Sequence, residues 1–61
     1  MNLVEEGERA TEMLQGKVVA LVMRNRAEEI LIEFVDGTRL FIDRSETEAG
    51  IELSITGGAE R

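Results

Sequence analysis

The serines Ser45 and Ser54, the single lysine Lys17 and 13 carboxylates are the side chains of this 61-residue sequence best suited to act on a substrate. A serine or lysine nucleophile must be activated. Serine needs a positioned base, and lysine needs a desolvated pocket that lowers its pKa. The sequence contains no histidine, cysteine, tyrosine or tryptophan. The usual base near neutral pH, the thiol nucleophile and the phenolic acid are therefore all missing. Lys17 opens an apolar stretch and reads as a strand-end charge. Acid–base hydrolysis by paired carboxylates requires two of them opposed across a cleft. The candidate groups are Glu46 with Glu48, Glu28 with Glu29, and Glu5, Glu6, Glu8 and Glu12 on one helix. Nothing in their spacing opposes two of them, and they read as a solvated surface. No catalytic residue is expected, and the chain is not expected to be an enzyme.

Metal and cofactor chemistry fare no better. Thiolate and imidazole ligands do not exist in this chain. Asp43, Ser45, Thr47 and Glu52 have the alternation of a calcium loop, but such a loop needs glycine at its sixth position and flanking helices. Gly50 is misplaced and strands flank the segment. Gly57-Gly58 follows the last strand with no helix behind it, so it is no phosphate loop. No metal and no cofactor are expected.

The formal net charge is −6, from 13 acidic and 7 basic residues. A surface of that sign repels nucleic-acid phosphate and anionic membranes. It suits basic proteins, or copies of the same chain joined through apolar surface. The longest uninterrupted apolar run, Val18 to Met23, is far short of a membrane span. The opening MNLVEEGERA is acidic and lacks the apolar core of a signal peptide. A cytoplasmic protein with no nucleic-acid and no membrane partner is expected.

Any surface these residues form must be built by a few short elements. The hydropathy pattern predicts one domain over 1–61 of the α+β class. A short N-terminal helix, about 3–15, packs on a four-stranded antiparallel β-meander, with an alternative in which the sheet curls toward a small barrel. The strands fall at about 17–24, 29–35, 38–43 and 51–56. Asn2 can cap the helix with Glu5 three residues on. Leu3, Ala10 and Leu14 share one face, and Gly16 stands at a natural stop. Gly7 weakens the helix interior. The segment KVVALVMR is β-branched and unbroken. EILIEFV and TRLFID flank Asp36-Gly37, the strongest hairpin signal in the chain. IELSIT alternates strictly. Residues from Gly57 onward are expected to form a loose tail.

The register of the central hairpin can be argued. A two-residue turn mixes polar and apolar residues on both faces. A three-residue loop with Gly37 in the left-handed position of a bulge pairs Phe34 with Thr38, Ile32 with Leu40 and Ile30 with Ile42. The other face then sets Leu31 against Phe41 and Glu33 against Arg39, at the expense of a like-charge pair, Glu29 with Asp43. Turning the first two strands at Asn25-Arg26 pairs Leu21 with Ile30 and Val19 with Ile32. On that reading the helix covers Val19, Leu21, Met23, Ile30, Ile32, Phe34, Leu40, Ile42, Ile51, Leu53 and Ile55.

The second face then carries Val18, Ala20, Val22, Leu31, Val35 and Phe41. One short helix cannot cover both sides of a sheet, so this apolar patch is expected to meet a partner, most simply a second copy in a homodimer. The expected interface residues are Val18, Ala20, Val22, Leu31 and Phe41 as anchors, with Glu33 and Arg39 as rim charges. Edge-strand pairing is another route, since no proline guards either edge.

The helix followed by LQGKVVALV, Leu14 to Val22, resembles the start of Sm-like RNA-binding barrels, whose first strand follows a helix and a Leu-x-Gly-Lys segment. The later half of the chain departs from the base-binding and glycine motifs of that family. The expected function is a non-catalytic protein-interaction or assembly module that self-associates. The alternatives are an acidic inhibitor or antitoxin-like protein that neutralises a basic partner, and a small Sm-like RNA-binding barrel.

Overall fold

A computed structural model of the chain describes residues 2–45 and 50–57. The elements run α1 (Leu3–Leu14), β1 (Val19–Met23), β2 (Glu29–Phe34), β3 (Arg39–Arg44) and β4 (Ile51–Thr56). The Asn2 carboxamide oxygen accepts from the Glu5 backbone N–H at 2.8 Å, so the cap read from the sequence starts the helix. The helix ends as Gln15 N–H donates to the Thr11 carbonyl at 2.7 Å and Gly16 turns to φ +82.

The four strands form one antiparallel sheet in the order β1-β2-β3-β4, and the sheet is not closed into a barrel. The β2–β3 register is the one that the apolar pattern selects. Ile30 pairs with Ile42, Leu31 with Phe41, Ile32 with Leu40 and Glu33 with Arg39. The connecting loop is the three-residue kind. Phe34 N–H donates to Thr38 O at 2.8 Å, Gly37 N–H to Phe34 O at 3.0 Å, and Gly37 takes φ +96.

The β1–β2 register differs from expectation. Leu21 pairs with Glu33, Val22 with Ile32 and Met23 with Leu31, and the register shifts between Val19 and Leu21. Two features cause this. The loop after β1 is longer than a turn at Asn25-Arg26. The Arg24 guanidinium holds it open, donating to the carbonyls of Ala27 (2.7 Å) and Glu29 (2.8 Å). The extra residue at Ala20 then forms a bulge, which reverses side-chain alternation along β1. Val22 therefore lies on the Ile32 side of the sheet. Leu21 and Met23 lie on the side of Leu31 and Glu33.

The helix is a partial lid. It approaches the Ile32 side over β4, where Glu6, Arg9, Ala10 and Met13 face Leu53 and Ile55 across an apolar cleft of about 320 Å³. No residue of α1 is buried, and Glu6, Ala10 and Leu14 are only half-buried. Gly57 is no part of a loose tail. Its φ is +77, and a Cβ there would come within 2.8 Å of the Gly37 carbonyl, so the close of β4 is fitted against the β2–β3 turn. Residues 58–61 lie outside the described residues. Among the described residues no helix is long and apolar enough to cross a membrane.

Candidate interaction surface

Among the described residues, the buried apolar side chains are Leu31, 5 % exposed, and Phe34. Leu31 lies on the side away from the helix. Its neighbours there are Met23 on β1, Phe41 on β3, and Glu29 and Glu33 along its own strand. Leu31 stands on an inner strand, ringed by these half-buried side chains on its own face. Phe41 is half-buried in the same hollow.

The expected interface set is thus divided. Val18 is 65 % exposed, Val22 is exposed and Ala20 is exposed. Leu31 is buried within its own chain. Glu33 and Arg39 form an ion pair within the chain, with Oε1 and Nε 3.6 Å apart and the Arg39 side chain half exposed. Because of the bulge, Val18, Ala20 and Val22 do not share one face. Val18 and Val35, joined by a 2.8 Å bond from Val35 N–H to Val18 O, flank the Val19–Phe34 pair and so stand on the Leu31 side, as Leu21 does. Val19 and Val22 stand on the helix side. The strand at this edge presents exposed apolar side chains on both of its faces: Val18, Val19, Leu21 and Val22.

Charged groups are arranged around these residues, and they bond to their own chain. Lys17 Nζ meets Asp36 Oδ2 at 2.5 Å. Asp36 Oδ1 accepts from Thr38 N–H at 2.9 Å. The Lys17 ammonium, followed by the Thr38 N–H, lowers the Asp36 pKa from 3.8 to about 2. Arg26 stands 3.6 Å from Glu29 and 3.9 Å from Asp43. It relieves the like-charge pair that the hairpin register imposes, a role its place in a loop gives no hint of in the sequence.

The chain has no significant match to any protein-family model, curated protein or solved structure. Chemistry must therefore be read from the geometry. Among the described residues no group of three or more acidic side chains is placed to hold a metal ion. Glu46 and Glu48 lie outside the described residues, as does Thr47 of the calcium-like loop. Lys17 spends its charge on Asp36. Ser54 is exposed on β4, with Phe41 opposite.

Of the two sheet edges, the outer edge of β4 has a regular backbone pattern, and its phase is set by the β3–β4 bonds. Ser45 N–H donates to Gly50 O at 3.1 Å, in the β3–β4 register that pairs Asp43 with Glu52 and Phe41 with Ser54. Antiparallel ladders alternate between bonded and non-bonded pairs. Glu52, Ser54 and Thr56 therefore bond to β3, while the backbone groups of Ile51, Leu53 and Ile55 point away from the sheet. Among the described residues no backbone bond reaches them.

Proposed function

We propose that this chain is a non-catalytic assembly module whose copies associate through the apolar surface that the fold leaves open. The observation that carries the reading is the imbalance between enclosed and open apolar side chains. Leu31 and Phe34 are enclosed, while Leu3, Val4, Met13, Val18, Val19, Leu21, Val22, Val35 and Ile51 are exposed. A domain of this size without disulfides gains stability when a second subunit covers such side chains.

Sedimentation equilibrium across a wide concentration range tests the reading. A mass of at least two chains is expected, together with a thermal midpoint that rises with protein concentration. A monomer throughout, with a midpoint independent of concentration, would overturn it.

A further inference from the structure

The two open edges of the sheet are not equivalent. At β1 the bulge beside Ala20 breaks the spacing of the outward backbone groups. Such a bulge is a recognised guard against strand addition. At β4 the outward groups of Ile51, Leu53 and Ile55 recur every second residue, with no bulge in the β3–β4 register and no lysine or proline in the strand. That is a template for another strand.

We propose that the β4 edge pairs antiparallel with β4 of a second copy across a two-fold axis at Leu53, making one continuous sheet twice as wide. This deepens the self-association reading and rests on it. The occupant is chosen by self-complementarity. With the axis at Leu53, Ile51 lies opposite Ile55, Leu53 opposite Leu53, and Glu52 opposite Ser54. All outward-pointing residues then meet outward-pointing residues, each pair exchanging both of its N–H···O bonds. Shifting the axis to Glu52 sets two carboxylates directly opposite, which is destabilising. Shifting it to Ser54 leaves Ile51 opposite Gly57, without an apolar neighbour.

The favoured register also explains two open features of the monomer. Ile51 is 70 % exposed. The cleft between α1 and β4 is lined by Ala10, Met13, Leu53 and Ile55, among others. Directly opposed residues share a sheet face. Pairing with Ile55 therefore brings the second copy's isoleucine to the helix side of the sheet, at the mouth of that cleft. One exposed side chain and one unfilled apolar groove cover each other, twice per dimer by symmetry. β1 then lies at the two outer edges, where its apolar side chains remain for contacts between dimers.

Ser54 supplies a test specific to the register, because it is exposed and opposes Glu52 only with the axis at Leu53. Sedimentation of the full chain at low salt should find Ser54→Lys dimerising about fivefold more tightly and Ser54→Glu about fivefold more weakly. Both effects should shrink at high salt. Ile51→Lys, at an exposed position, should dissociate the dimer and leave the circular dichroism of the monomer unchanged. If the wild type self-associates but all three variants do so equally well, the β4 joint is wrong and self-association stands. If the wild type is a monomer, both ideas fall.

Discussion

Asp36 ties the hairpin turn to the start of the sheet. Its carboxylate holds the Lys17 ammonium with one oxygen and the Thr38 N–H with the other. The folded pKa, about 2, lies below the value near 3.9 expected in the unfolded chain. Folding therefore favours the ionised form. The stabilisation is fully present above about pH 4 and is lost as pH falls through about 2. Asp36→Asn should lower stability at pH 6 and remove part of the decline between those values. Urea midpoints at pH 6, 4 and 2.5 measure this. An unchanged acid slope in the variant would show that the decline arises elsewhere.

Arg26 acts on a second charge problem. Glu29 and Asp43 are opposed across β2 and β3, and the Glu29 side chain is only 12 % exposed. Removing the guanidinium leaves two carboxylates facing each other. Arg26→Ala should cost about 1 kcal/mol at neutral pH, and adding Glu29→Gln should recover part of it. Because the Arg26 side chain is mostly exposed, each ion pair is weak, and the expected loss is the sum of its attractions to both carboxylates, which offset their mutual repulsion. The double-mutant cycle with Glu29→Gln isolates the Glu29 share. Additive losses in the cycle would count against this account.

At the scale of elements, the helix and the sheet differ in how firmly they are held. The sheet is tied by three ladders in fixed registers. The helix buries no residue. Its own backbone bonds and its cap must therefore supply most of what keeps it formed, and helices this short are marginal alone. Gly7 sits inside it with open space around the position of an added Cβ. Gly7→Ala should strengthen the helix by about 1 kcal/mol. The gain should appear as stronger helical circular dichroism and slower amide exchange in α1, with a smaller rise in the global melting midpoint. A full-sized rise in the global midpoint would mean that helix and sheet unfold as one unit.

For the molecule as a whole, charge and apolar surface act in opposite directions. Copies that each carry a net charge of −6 repel one another. An association driven by apolar side chains should tighten as salt rises from about 0.05 to 0.5 M, because screening removes the repulsion. Binding to a basic partner through the carboxylates would weaken over the same range. Dissociation constants at the two salt concentrations decide between these signs. Self-association that weakens with salt would point to charge pairing between copies instead of apolar contact.

Much of the architecture was legible in the residues alone. The Asn2 cap, the strand positions, the meander and the β2–β3 register all follow from local rules: capping chemistry, period-two alternation, and a glycine that accepts positive φ. Alternation fixes a register wherever only one offset keeps the apolar residues together, as it does for Ile30, Ile32, Leu40 and Ile42. It could not fix β1, because VALVM is apolar at every position and any offset looks equally good. There the Arg24 bonds to the following loop and the bulge at Ala20 decided the outcome, and both depend on groups distant in pattern though near in space. The strand order, which encloses Leu31 on an inner strand and leaves β1 and the edge of β4 open, is likewise a property of all four strands together. Local sequence determines what each strand prefers, and only the assembled sheet determines which of its edges and faces are left for a partner.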